Sequence, residues 1–341
     1  MFTLQGLQRL WLFLSNFIIL PCLIGIATWY VLLPEVELEC IDDFANKGDL
    51  VCKPKCQKGY FSLPDMENCR RWLGCKEISK IKEKWILGQG IVKNAHLGSW
   101  RNHSVVLNKL RFEDYRSDFN HGLKMLKKLS PSPFIVQFLG SCSDVYVTEF
   151  HRHGSLSNLE DLFISNEIFR KYDTRKYRFR TAIRYVEILD YLHNSPIGTR
   201  VMCDSNDIKK TVSQYLITDD LRMVVNDLDA LPLVNHTKNL LIKCGNRELF
   251  GDFVAPEQKW PFDKNDKFDN DKMPGYDEKT DIWKIPDVFK HLISDTKGAD
   301  SLKYYLFDIH KKCKSKDPKK RPSTKEILKQ YYKVWKKYYD S

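Results

Sequence analysis

No internal repeat and no long low-complexity tract occurs in the 341 residues, which sets aside repeat architectures and a disordered chain. With 43% hydrophobic and 29% charged residues, the composition is that of a globular protein long enough for a short module and one large domain. No nucleic-acid-binding motif accompanies the formal net charge of +11, and the basic residues are scattered. Their densest run (Arg170, Lys171, Arg175, Lys176, Arg178, Arg180) reads as one solvated helical surface, so no nucleic-acid partner is expected. Charge is missing altogether from Trp11 to Leu33, where Leu, Ile, Val, Phe and Trp dominate.

That uncharged run, at about 1.5 Å per residue, spans roughly 30 Å, enough to cross a bilayer. A cleaved signal peptide has an apolar core of only about 7–15 residues, and no small-residue cleavage box follows here. Trp11 at one end and Trp29 with Tyr30 at the other suit the interfacial belts. A buried soluble helix is the remaining alternative; the run is read as one membrane anchor, making the bilayer a partner. Arg9 lies on the short side, whereas Glu35, Glu37 and Glu39 open the other, with no Lys or Arg before Lys47. Cationic flanks favour the cytoplasm, so the bulk of the chain is expected in the lumen.

Five cysteines lie between the anchor and residue 80: Cys40, Cys52, Cys56, Cys69 and Cys75. The Cys52-x3-Cys56 spacing fits zinc, but no second pair of that spacing and no nearby His completes a tetrahedron. Disulfides are the expected use in a lumenal segment. Five is odd, so one cysteine is free or pairs with the main domain. Asn102-His-Ser104 and Asn235-His-Thr237 are sequons, leaving Asn102 and Asn235 as candidate glycosylation sites. The expected layout is a cytoplasmic tail 1–10, the anchor 11–33, a Cys-rich stem 34–80 and a two-lobed domain 81–341, its lobes meeting near residue 150.

In that domain the patterning runs from strands to helices. Trp85–Val92, Ser104–Leu107, Ile135–Gly140 and Val145–Phe150 are rich in β-branched residues. Ser117–Leu129 and Ala182–His193 carry apolar residues at helical spacing, and Ser155–Glu160 also reads as helix. The fold class expected is α+β and bilobal, with a β-rich N-lobe and a helical C-lobe.

Four fragments stand in a telling order: Gly88-Gln-Gly90-Ile-Val-Lys93, Val201-Met-Cys-Asp204, Asn226-Asp227-Leu-Asp229 and Gly251-Asp-Phe-Val-Ala-Pro-Glu257. They resemble the glycine loop, catalytic loop, metal-binding loop and activation-segment end of the protein kinases. Thr148-Glu149-Phe150 resembles the hinge that meets adenine, Thr280-Asp281-Ile-Trp283 the start of the large helix, and Asp317–Arg321 the segment whose arginine pairs with Glu257. The resemblance covers about Ile81 to Lys333 and implies ATP as substrate.

Each landmark also departs from the family pattern. Gly88 and Gly90 let a turn approach phosphates, but Lys93 stands at the third glycine. Asn108 occupies the place of the usual strand lysine, and Gly122 that of its partner glutamate. The with-no-lysine kinases carry the lysine on the adjacent strand, which makes Lys93 the expected phosphate-pairing residue and Lys109 the runner-up. Strand alternation turns Lys109 to the face opposite Asn108. Asp204 is the expected general base. Asp227 is the expected ligand for Mg²⁺ or Mn²⁺, joined by Gln214 or, alternatively, Asn206. Asp229 replaces the flexible glycine of Asp-Phe-Gly.

Taken with the anchor and Cys-rich stem, these departures resemble the protein O-mannose kinase family, an atypical branch of the superfamily. That resemblance implies ATP-dependent phosphorylation of the mannose 6-hydroxyl in an O-mannosyl GalNAc–GlcNAc–Man glycan on α-dystroglycan, in the endoplasmic reticulum. Asn206 replaces the lysine that Ser/Thr kinases carry two residues after the base, within a lengthened loop with room for a glycan. The competing readings are an inactive pseudokinase and an anchored adaptor; neither needs both Asp204 and Asp227.

Overall fold

The computed structural model describes residues 37–43, 49–203, 205–263 and 266–339. The expected anchor Trp11–Leu33 and the expected base Asp204 lie outside the described residues. Among the described residues no helix is long and apolar enough to cross a membrane. The chain divides into a unit Met1–Glu39 and a compact unit Cys40–Ser341. Of the first, only Glu37–Glu39 are described, with exposed side chains.

Within the larger unit, after the Cys-rich stretch, comes a five-stranded antiparallel sheet built from β1 (Lys82–Gln89), β2 (Lys93–Trp100), β3 (His103–Leu110), β4 (Phe138–Cys142) and β5 (Val145–Glu149). Their order is β1-β2-β3-β5-β4. Against the sheet lies helix α1 (Arg116–Leu129), which buries Phe119, Met125, Leu126 and Leu129 at helical spacing. The Phe119 ring meets Tyr146 of β5 at 5.2 Å between centroids.

Residues of the Cys-rich stretch share this core. Phe61, Leu63 and Leu73 are buried with Val105, Leu107, Leu139 and Val147. Leu73 donates its N–H to Leu139 O (2.7 Å) and accepts from Ser141 N–H (3.2 Å), so the stretch covers the edge strand β4. Gly140 makes this approach possible, because a Cβ there would sit 2.3 Å from Leu73 O. The cysteines pair as Cys40–Cys52, Cys56–Cys69 and Cys75–Cys142, the last reaching into the main domain. A buried Cys313 is free.

The C-lobe is helical: α2 (Arg175–His193), α3 (Ile208–Ser213), α4 (Lys279–Ile293), α5 (Ala299–Cys313) and α6 (Thr324–Tyr339), with a hairpin of β6 (Tyr215–Ile217) and β7 (Met223–Val225) at the cleft. Helix α2 starts earlier than its apolar spacing suggests, because Thr174 caps it by accepting the Tyr177 N–H. The basic run is not wholly solvated. Arg178 is buried, donating to both Glu160 oxygens (2.6 and 2.9 Å) and to Asp173 (2.5 Å). Further along, Arg321 is buried against Glu257 in a bidentate pair at 2.5 and 2.7 Å, tying the Ala-Pro-Glu turn to the lobe.

Candidate active site

The first two strands turn through Gly90, Ile91 and Val92. Gly90 N–H donates to Lys93 O (2.9 Å), and the Arg111 guanidinium holds Gly90 O (2.8 Å). This tight turn makes Lys93 the first residue of β2. Its ammonium lies 2.5 Å from Asp227 Oδ1 and 3.2 Å from Asp229 Oδ2, across 134 and 136 residues of sequence. Burial disfavours the charged amine, but the Asp227 and Asp229 carboxylates outweigh it and raise its pKa well above the ordinary lysine value.

The two carboxyls are driven apart. Burial opposes the ionised form of Asp227, yet Lys93 holds its pKa below the ordinary value. Burial and the Asp227 charge push Asp229 up to about 7. Burial likewise raises the Tyr146 phenol, which faces Lys93, to about 12.

Asn108 points inward from β3, buried, and donates to the Thr148 hydroxyl at 3.2 Å. Lys109, the next residue, pairs with Glu83 away from that site. Gly122 of α1 packs on the backbone of Asp229: a Cβ there would stand 3.2 Å from Asp229 Cα. The absent glutamate and the replaced Asp-Phe-Gly glycine are therefore one feature. Removing the side chain at 122 admits Asp229, whose carboxylate reaches Lys93 instead. Sequence reasoning left the partner of Lys93 unassigned, although the paired departures at 122 and 229 carried the signal.

At the hinge, Glu149 is held by polar contacts from within the N-lobe. Its carboxylate meets Lys53 at 3.4 Å and accepts Gln137 N–H at 2.8 Å. Burial opposes its ionisation, but Lys53 and His151 hold its pKa far below the ordinary carboxylate range. Phe150 is half-buried.

On the C-lobe side, Met202 N–H donates to the buried Asp281 at 3.1 Å, and Cys203 N–H to Ala230 O at 3.1 Å. A disulfide joins Cys203 to Cys244, a link with no signature in the sequence spacing. Both features hold the backbone immediately before position 204. Gln214 accepts the N–H groups of Asn226 (2.8 Å) and Asp227 (3.3 Å) on its backbone carbonyl, while its side-chain amide donates to Lys210 O (3.1 Å). Asn206 Oδ1 is buried and has no hydrogen-bond partner among the described residues. An orphaned amide oxygen and the Asp227 carboxylate are the hard donors a divalent cation takes, so these residues fit such an ion, with Asn206 a better side-chain candidate than Gln214.

A two-lobed α+β fold, a glycine turn over the cleft and a lysine–carboxylate cluster between the lobes define the chain as a protein-kinase-like phosphotransferase, working with ATP and a divalent metal. No model of a known protein family matches the chain. It is 44% identical over 319 residues to human (Homo sapiens) protein O-mannose kinase, covering 92% of this chain and 91% of the relative. It is 48% identical over 283 residues to the protein O-mannose kinase of Gallus gallus (82% and 79% covered), and 45% identical over 282 residues to that of Xenopus laevis (82% and 80%). The chain belongs to the protein O-mannose kinase family.

Proposed function

We propose that this kinase transfers the γ-phosphoryl group of ATP to the 6-hydroxyl of O-linked mannose, in a GalNAc–GlcNAc–Man glycan on α-dystroglycan. The observation that carries the reading is the identity of 44–48% over most of the chain to relatives named protein O-mannose kinase. The meeting of Lys93 with Asp227 and Asp229 supports it from geometry.

Phosphoryl transfer needs positioning and charge neutralisation more than covalent chemistry from the protein. In this reading Gly88 and Gly90 admit the phosphates under the turn, and Lys93 pairs with them. Thr148, Glu149 and Phe150 frame the adenine, with Glu149 held by Lys53 so that the hinge backbone keeps its place. Asp204 accepts the proton of the mannose hydroxyl as the new O–P bond forms. The bond from the γ-phosphorus to its bridging oxygen breaks, and the electron pair leaves on ADP. A divalent cation (Mg²⁺ or Mn²⁺), held by Asp227 with Asn206 or Gln214, would neutralise phosphate charge.

The disulfides and the sequons at Asn102 and Asn235 support placing this chemistry in the lumen of the endoplasmic reticulum, behind a type II anchor at Trp11–Leu33. The test is to incubate the purified protein with labelled ATP and a panel of O-mannosyl glycans, other glycans and peptides. Label is expected on mannose O6 alone; labelled Ser, Thr or Tyr in peptides would overturn the substrate class. In the same assay Asp204→Asn should lose about two or more orders of magnitude in kcat, with ATP binding nearly intact. Near-normal turnover by that variant rules out Asp204 as the base.

A further inference from the structure

Lys284 is among the largest fully buried side chains, 1% exposed, on α4 between the core residues Ile282 and Ile285. A buried ammonium costs several kcal/mol unless it is paired and hydrogen-bonded, and an aliphatic side chain would pack as well. The structure states what compensates it. Lys284 Nζ donates to Ser205 Oγ at 2.6 Å and faces Asp281 Oδ1 at 3.9 Å. Ser205 Oγ in turn donates to Met202 O at 2.6 Å. The second oxygen of Asp281 accepts Met202 N–H at 3.1 Å and lies 3.1 Å from His193 Nε2.

These contacts close a ring. Met202 is gripped at its N–H by Asp281 and at its carbonyl by Ser205, and Lys284 ties the two grips together from inside α4. Both flanks of position 204 are thereby fastened to one helix. We infer that Lys284 is a positioning residue for the catalytic loop, holding from beneath the segment that carries Asp204. It acts through Ser205 and Asp281. Where Ser/Thr kinases carry a lysine two residues after the base, this chain has Asn206.

The inference rests on the phosphotransfer reading for its assay, and the two fail differently. A parent protein without turnover on any acceptor refutes that reading. A parent that turns over while the variants below match it refutes the inference.

Full-length Lys284→Met, Lys284→Arg and Ser205→Ala are compared with the parent for kcat, KM for ATP and thermal melting. Misplacing a catalytic group from a distance costs on the order of tenfold to a hundredfold in rate. Lys284→Met should lose kcat on that scale with KM for ATP near the parent value, and Lys284→Arg should recover part of it. Ser205→Ala, a smaller change, should lose kcat several-fold with melting unchanged. Parent-like kcat in Lys284→Met overturns the inference. Should Lys284→Met fail to fold, Ser205→Ala decides: kcat within twofold of the parent overturns it, and a drop in kcat without a drop in melting temperature sustains it.

Discussion

Lys93 sits at the mouth of the glycine turn with two carboxylates on its ammonium, while Asn108 and Lys109 point elsewhere. Charge stabilisation is usually the largest catalytic term, and losing one such donor costs on the order of a hundredfold or more. Lys93→Ala is therefore expected to lose kcat on that scale at saturating ATP. Asn108→Ala removes one buried hydrogen bond, worth about 1 kcal/mol of stability, and should leave kcat within a few-fold. Lys109→Ala, on the outer face, should be milder still. Kinetics of the three variants side by side check this; loss at Lys109 with retention at Lys93 would restore the ordinary strand lysine. The displaced lysine was legible in the sequence because glycine loops and strand alternation are local patterns. Its carboxylate partner was not, since that pairing depends on how closely a helix and a distant loop approach.

Helix α1 makes that approach through Gly122. Installing the usual glutamate places a Cβ 3.2 Å from Asp229 Cα, so Gly122→Glu should push Asp229 off Lys93 and lower kcat by about tenfold or more. Adding Asp229→Gly should recover part of the loss by restoring the ordinary arrangement. If Gly122→Glu alone matches the parent, the two positions are not coupled.

A second element-level feature lies where α5 meets α6. His310 Nε2 is 2.7 Å from the Tyr331 hydroxyl, and its ring meets Phe289 at 4.7 Å. Burial lowers its pKa to about 4. An unfolded histidine titrates near 6.5, so as pH falls the unfolded chain binds the proton first. Stability is therefore fully present above about pH 6.5 and is lost between about 6.5 and 4. The loss amounts to about 2 kcal/mol from pH 7 to pH 5. Urea denaturation at the two pH values should show that difference, and His310→Gln should remove most of it. Equal pH dependence in the variant would place the titrating group elsewhere. Helix positions were legible from apolar spacing, but not Arg178, whose inward turn depends on Glu160 and Asp173 arriving from other segments.

At the scale of the whole molecule, the proposed lumenal placement has a direct readout. Asn102 forms the β2–β3 turn with Arg101, both at positive φ (68° and 47°), and is exposed. Asn235 instead spends its side-chain oxygen on Lys238 N–H and the Thr237 hydroxyl. Endoglycosidase should therefore shift the protein's mobility, chiefly through Asn102, and Asn102→Gln should abolish most of that shift. Intact microsomes should protect the domain from added protease. An unshifted band together with digestion in intact microsomes would refute the orientation. The disulfide-rich stretch shares the N-lobe core through Phe61, Leu63 and Leu73.

That sharing has a mechanical consequence. The Cys75–Cys142 bond, the backbone pairing of Leu73 with β4 and the Lys53–Glu149 contact all fasten the incoming chain to the sheet lobe and its hinge, none to the helical lobe. If the chain is anchored at Trp11–Leu33 as proposed, the tether would run into the lobe that grips nucleotide. Under the proposed anchor, any opening of the cleft would move the helical lobe, which carries the catalytic loop, against a tethered sheet lobe.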